Sequence, residues 1–165
     1  VTGSLIIRGA RDEDLERAGD ICVAAYDAAG QLEPGSPYVH DLRATAARAR
    51  DGILLVAERA GEIVGTATIC TPGSAFREIG REDEVEFRFL AVAPEAQGTG
   101  VAAALIEAIE QHARETRAVR LAICVRDTNT GAAAMYERMG FVREPHRDWS
   151  PRPGVDLLAL SRPVS

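Results

Sequence analysis

The sequence holds few of the residues that announce chemistry on their own. It has three cysteines, Cys22, Cys70 and Cys124. They are widely separated, flanked by apolar residues and odd in number, which argues against a disulfide framework or a cysteine-held metal and for three reduced, packed thiols. The three histidines, His40, His112 and His146, never fall at metal-ligand spacing, and neither CxxC nor HExxH occurs, so no metal is expected. No apolar run reaches the length of a membrane span, and Val1 to Gly9 lacks the basic start and long apolar stretch of a secretion signal. A cytoplasmic location without a membrane partner is the expectation. Positive charge is also in deficit: the formal net charge is -6 at pH 7. Affinity for a phosphate backbone comes mainly from clustered basic residues, so nucleic acid is not an expected partner.

What is present is ordinary for a folded chain. The 165 residues, 46% apolar and 27% charged, suit one compact domain spanning residues 1–165. There is no internal repeat, low-complexity tract or linker. Leu5 to Arg8 reads as a strand, and Asp12 as the cap of a helix with Leu15, Ala18, Cys22 and Ala25 on its apolar face. The Gly- and Pro-bearing stretch Ala28 to Pro37 is a loop, followed by a second helix over Val39 to Arg50. Ile53 to Glu58 and Ile63 to Cys70 form a hairpin around Ala60 and Gly61. Thr71 to Asp83 is a long loop and Val85 to Val92 a fourth strand. Gly98 to Thr116 is the longest helix, Val119 to Val125 a buried strand, and Asn129 to Met139 a helix with Gly140 as its left-handed cap. Phe141 to Arg143 and Val155 to Leu160 are the last strands. This order predicts an α/β domain with a mixed sheet.

The most informative segment is VAPEAQGTGVAAALI, Val92 to Ile106, where a strand passes through a short glycine-bearing turn into a helix. Gly98 and Gly100 leave room for close approach, so the backbone N–H groups of Gly98, Thr99, Gly100, Val101 and Ala102 can point at a phosphate near the helix's positive end. The Lys-Ser/Thr of a Walker A loop is missing, and the turn is too compressed for a dinucleotide fingerprint. A different phosphate ligand is required.

Here the chain resembles the GNAT superfamily of acetyl-CoA-dependent N-acetyltransferases, whose Q/R-x-x-G-x-G/A motif is filled by Gln97, Gly100 and Ala102 after a strand ending in Val92-Ala93-Pro94. A second family segment, N-x-x-A-x-x-x-Y-x-x-x-G-F, is matched by Asn129, Ala132, Tyr136, Gly140 and Phe141. The resemblance implies a mixed central sheet, splayed after the fourth strand and flanked by helices, with the donor's pantetheine arm against the backbone of Leu90 and Val92 and Asn129 as a further cofactor contact. It implies acetyl-CoA as cosubstrate, an amine acceptor that is a small molecule or a peptide, and homodimerisation. It also assigns Tyr136 the protonation of the departing thiolate.

An alkyl ammonium, with a pKa of about 10.4, must lose a proton before it attacks. The family's base is often a glutamate on the fourth strand, which here offers Glu84 and Glu86. Glu86 is preferred because Glu84 sits at the strand's start. The bland readings remain beside these: Glu86 as an ion-paired strand residue, Tyr136 as core, Asn129 as an N-cap. Cys124 lies in the apolar run LAICV and reads as packing. Trp149 and His146 belong to a loop that, with Tyr26 to Tyr38, borders the acceptor side. The alternative in another class is a CoA-binding sensor that keeps the fold without turnover.

Overall fold

The computed structural model describes residues 3–165; Val1 and Thr2, the start of the stretch read for a secretion signal, lie outside the described residues. Eight strands form one sheet in the order β1-β2-β3-β4-β5-β8-β6, with β7 paired to β8. The strands are β1 (Leu5–Gly9), β2 (Ile53–Arg59), β3 (Glu62–Cys70), β4 (Glu84–Val92), β5 (Arg120–Arg126), β6 (Val142–Arg143), β7 (Trp149–Arg152) and β8 (Val155–Pro163). All neighbours are antiparallel except β4 and β5. The mixed sheet matches the expected class.

Among the described residues five α-helices flank it: α1 (Leu15–Ala28), α2 (Tyr38–Arg43), α3 (Thr45–Asp51), α4 (Val101–Glu115) and α5 (Thr130–Arg138). Strand alternation assigns them to faces. Gly65 on β3 meets Val101 and Leu105 of α4, whereas Thr68, an odd number of residues on, accepts a hydrogen bond from Arg48 of α3 at 3.0 Å. α4 therefore covers one face and α1 to α3 the other. The α4 face holds the edge-on aromatic group Phe87, Tyr136 and Phe141, with ring centroids 5.5 to 6.0 Å apart. Phe87 is fully buried, worth about 1.5–3 kcal/mol relative to exposure.

Local signals placed several turns correctly. Ala60 and Gly61 both have positive φ, 53° and 80°, as a two-residue hairpin with right-handed strand twist requires. Asn129 caps α5 by accepting from the Ala132 N–H at 3.2 Å, and Gly140 closes it at φ 89°. Other boundaries differ. The first helix starts through a short 3-10 turn, and Asp14 rather than Asp12 secures it, accepting from the Arg11 N–H at 2.7 Å. The expected second helix is two, because the guanidinium of Arg48 folds back to donate to the carbonyls of Asp41 and Leu42, ending α2. β7 was not expected; Pro151 and Pro153 disguise it, and as an edge strand it spares the missing N–H groups.

All 19 basic residues are arginines, and several brace the interior. Arg48 is fully buried and among the described residues has no carboxylate partner, its charge met by carbonyls, the Thr68 hydroxyl and the Phe89 ring 4.1 Å away. Arg147 forks onto Glu84, Nη2 to Oε1 at 2.6 Å and Nη1 to Oε2 at 3.1 Å, with both side chains nearly buried. Among the described residues no helix is long and apolar enough to cross a membrane.

The close approach of α4 to β3 is testable. A Cβ on Gly65 would lie 2.6 Å from Val101 Cγ1 and 3.3 Å from both the Ala91 oxygen and Leu105 Cδ1. Gly65→Ala should therefore cost about 1–3 kcal/mol as α4 is pushed off the sheet. Urea unfolding should show a lower midpoint; an unchanged one would mean that the helix absorbs the methyl group freely.

Candidate active site

The turn before α4 has the geometry its glycines imply. Gly98 and Gly100 adopt φ 74° and 90°, and no atom outside their immediate neighbours lies within 4 Å of where a Cβ would stand on either. A side chain there would be strained and would fill the open space over the helix start. Ala104 is the first α4 residue whose N–H turns back into the chain, bonding the Gly100 oxygen at 3.1 Å. Among the described residues the N–H groups of Gly98 to Ala103 have no acceptor. Gln97 to Gly100 are exposed, Ala102 is half-buried and Val101 is packed inward. A set of unsatisfied donors at a helix's positive end suits a pyrophosphate. The turn is also braced from a distance: Arg59 of β2 donates to the Thr99 hydroxyl at 2.8 Å and to the Thr99 carbonyl at 3.1 Å. Forty residues separate the partners, so no local pattern could have revealed this contact.

The sheet parts beside this turn. β4 and β5 are in register only at Glu84, Val85 and Glu86, opposite Arg120, Leu121 and Ala122. β4 nevertheless continues to Val92 and β5 to Arg126, so the strands splay after Glu86, as the resemblance implies. A bulge reinforces the opening. Thr66 faces Ala91 but Thr68 faces Arg88, which leaves one extra residue on β4, and Phe89 within it takes φ 55°. Beyond the bulge the Ala93 N–H bonds Val64 across β3. Alternation then turns the backbone polar groups of Val92, and of Leu90 two residues earlier, toward the gap.

Glu86 and Tyr136 lie on opposite faces. Glu86 pairs across the sheet with Cys70 and so shares the α1–α3 face with Arg88. It is fully buried, and its carboxylate accepts from three successive backbone N–H groups: Glu78 at 2.9 and 3.0 Å to the two oxygens, Ile79 at 2.9 Å and Gly80 at 2.8 Å. The loop after β3 is thus wrapped around this carboxylate. It is tied further by Asp51, which accepts from the Ala75 N–H at 2.7 Å, by Arg88, which donates to the Phe76 carbonyl at 3.0 Å, and by Arg147, which donates to the Ile79 carbonyl at 2.8 Å. Glu84, the other candidate, is taken up by Arg147; burial alone would raise its pKa, but hydrogen bonds from Arg147 and the Arg81 N–H hold it below the usual carboxylate range.

A residue that sequence reasoning passed over stands at the surface of this arrangement. Glu78 is mostly shielded, with Oε1 3.1 Å from Arg88 Nε. Burial raises its pKa, Arg88 opposes the rise and Glu86 adds to it. Arg88 in turn lies 4.6 Å over the Phe89 ring, which also meets Tyr38 and Phe76. Of the stretch Tyr26 to Tyr38, Tyr38 stands beside this group and Tyr26 lies 5.9 Å from Tyr38.

Tyr136 is buried in α5 against Phe87 and Phe141. Its ring is core, yet no described residue hydrogen-bonds its hydroxyl, and burial raises its pKa well above the ordinary phenol value. A phenol held neutral retains a proton to give. Asn129 is an N-cap through its oxygen. Burial lifts the thiols of Cys22 to about 11 and of Cys70 and Cys124 to about 12, so they are poor nucleophiles at neutral pH. His146 is exposed, 3.7 Å from Glu144, and Trp149 is exposed on β7. Among the described residues no group of His, Cys, Asp or Glu is arranged to hold a metal. A cavity of about 370 Å³ opens beside Arg77, Glu84, His112 and Arg117. That is the far end of α4, a helix of 15 residues and thus about 22 Å long, away from the glycine turn.

Glycine turn, splayed strands, bulge and buried tyrosine stand together on one mixed sheet. The model of the acetyltransferase (GNAT) family matches residues 20–141, and the chain belongs to that family. Mycothiol acetyltransferase of Salinispora tropica is 38% identical over 96 residues, 56% of this chain and 29% of that protein. The 5-NmdU N-acetyltransferase of Pseudomonas phage PaMx11 is 40% identical over 90 residues, 54% of this chain and 57% of that protein. The chain thus covers less than two thirds of either relative. Among solved structures, the PaiA N-acetyltransferase from Thermoplasma acidophilum in complex with coenzyme A superposes with a TM-score of 0.77 at 16% identity, covering 97% of this chain and 99% of that one. The ribosomal-protein-S18-alanine N-acetyltransferase from Escherichia coli gives 0.70 at 22%, with 98% and 95% covered. At these identities the likeness is one of fold.

The glycine turn yields a direct test with coenzyme A. Gly100→Val puts a branched side chain into the space before α4 and forbids the φ of 90°. Losing one hydrogen bond to a charged phosphate is worth about 1.5–3 kcal/mol, so calorimetric affinity for CoA should fall by about ten- to hundred-fold. A folded variant with wild-type affinity would remove the turn from the site.

Proposed function

We propose that the protein transfers the acetyl group of acetyl-CoA to a primary amine by direct attack, with both substrates held at the splay. What supports this reading is that β4 and β5 pair only as far as Glu86, beside a helix start with unsatisfied N–H groups, while Tyr136, packed on Phe87, has no hydrogen-bond partner among the described residues. Gln97 to Ala102 would hold the pyrophosphate, and Leu90 and Val92 the pantetheine amides. Asn129, whose oxygen is engaged as a cap, has its side-chain nitrogen left for the donor. Acetyl-CoA supplies an activated acyl group; the chain supplies orientation and proton traffic.

Two proton movements are needed, one on each face. On the α1–α3 face the acceptor's ammonium gives up a proton to a carboxylate, and Glu86 and Glu78 both stand there. On the α4–α5 face Tyr136 donates to the leaving sulfur, because a thiol of pKa about 8.5 is a better leaving group when its proton arrives with bond breaking. Fixed strand N–H groups polarise the carbonyl under attack. The relatives named above differ in acceptor, so the screen should span small amines, amino acids and peptide N-termini, followed through CoA release and product mass. Binding of acetyl-CoA without acetylation of any amine would favour a CoA-sensing module instead.

Tyr136→Phe separates the two roles of the ring. Packing against Phe87 and Phe141 is kept and no described partner is left unpaired, so stability should change little. Single-turnover acetyl transfer should slow by about ten-fold to a few hundred-fold, at or below the usual range for a general acid because water partly substitutes. Affinity for acetyl-CoA should hold. A folded variant transferring at the wild-type rate would sink the assignment.

A further inference from the structure

We infer that Glu78 takes the proton from the acceptor's ammonium, and that Glu86 is the positioning residue that holds Glu78 in place. The inference rests on the acetyl-transfer reading above and deepens its acid–base assignment. It follows from how the two carboxylates use their oxygens. Glu86 is 0% exposed; its Oε1 already accepts from the N–H groups of Glu78, Ile79 and Gly80, and its Oε2 shares the Glu78 N–H. A carboxylate so occupied is committed to the loop backbone, whose residues 78–80 it shapes. Glu78 commits only Oε1, to Arg88 at 3.1 Å; among the described residues nothing hydrogen-bonds Oε2.

Position points the same way. Glu86 sits at the last paired step of β4 and β5, before the gap begins. Glu78 is carried forward by the loop to Arg88, whose guanidinium covers Phe89 in the bulge, so its carboxylate stands over the part of β4 that has left β5. Phe89 stacks with Tyr38 at 6.4 Å and meets Phe76 edge-on at 6.4 Å, which gives the carboxylate an aromatic wall. The charged and titratable groups facing it are Arg88 and Glu86 on β4, Cys70 at the end of β3, Cys124 on β5 and Tyr38 on α2. Burial and Glu86 push its proton affinity up while Arg88 limits the rise, a balance that suits a base better than a fixed ion pair.

The step is a simple exchange. One ammonium N–H bond breaks, its electron pair stays on nitrogen for attack, and an O–H bond forms at Glu78 Oε2. Glu86 takes no part in it directly. Its three N–H contacts fix the backbone from which Glu78 projects, and their loss would misplace the base without replacing it.

The test compares wild type, Glu78→Gln, Glu78→Asp and Glu86→Gln with acetyl-CoA and a primary-amine panel of benzylamine, glycinamide and an alanyl peptide, following kcat and KM from pH 5 to 10 with thermal unfolding alongside. In wild type the rate should fall on the acid side at a pH above the ordinary glutamate range of about 4.3, because only the ionised carboxylate accepts the proton. Glu78→Gln should lose about a hundred-fold or more near neutrality, with the acid limb moved up to the amine's own ionisation and wild-type rates approached in alkali. Glu78→Asp should keep the limb at reduced rate. Glu86→Gln should lower kcat across the whole range and lower the unfolding temperature, with the limb left where wild type has it. A Glu78→Gln protein with the wild-type profile, or a Glu86→Gln protein whose limb moves instead, overturns the inference alone. Wild type that acetylates none of these amines overturns the transfer reading with it.

Discussion

A buried carboxylate must be met by something, and at Glu86 it is met by peptide dipoles rather than by a cation. None of the ion pairs among the described residues includes it. Stripping such a group of its donors would cost several kcal/mol, so the loop after β3 has little freedom while Glu86 is charged. The constraint runs outward from there. The loop fixes Phe76 and Glu78, these meet Arg88 and Phe89, and Phe89 is the strained residue of the bulge that helps part β4 from β5. One buried charge thus fixes the aromatic group around Phe89 and reaches the opening between β4 and β5.

The opening lies between the two faces of a single sheet. Alternation along β4 sends Glu86 and Arg88 to one side and Phe87 to the other, and Phe87 is where Tyr136 packs. A continuous sheet would seal these environments from each other. Only where β4 and β5 have separated can a group on the α5 side and a group on the α1 side address the same atoms. The bulge at Phe89 also explains why aromatic residues collect there: a non-glycine residue with positive φ is sustained by its surroundings, and this ring is held between Arg48 and Arg88 and against Tyr38 and Phe76.

The features read from sequence were those with local causes. Gly98 and Gly100 before α4, the Asn129 cap, Gly140 after α5 and the Ala60–Gly61 hairpin each act within a few residues, so their spacing carried the information. The splay came with the two family motifs and has its counterpart in the three-residue pairing of β4 with β5. The loop over Thr71 to Asp83 was opaque for the opposite reason. It has no periodicity of its own, and its order is imposed by Asp51, Glu86, Arg88 and Arg147, none of them adjacent to it in a recognisable pattern. Arg59 bracing Thr99, Arg48 dividing α2 from α3, and Glu78 over the bulge are of the same kind. Glu86 shows the limit most clearly: its strand position was legible, but the occupancy of its oxygens was not.

The wholly arginine character of the basic residues has a consequence for a chain that would hold a reactive thioester. Lysine carries a side-chain amine that, once deprotonated, is a nucleophile; the guanidinium of arginine stays protonated and delocalised throughout the accessible pH range. With no lysine among the 165 residues, no side-chain amine competes with the acceptor for the acyl group. The braces at Arg48, Arg59, Arg88 and Arg147 are correspondingly exempt from the neutralisation that acylation inflicts on lysine ion pairs. Prolonged exposure to the donor should leave the protein's internal electrostatics chemically intact.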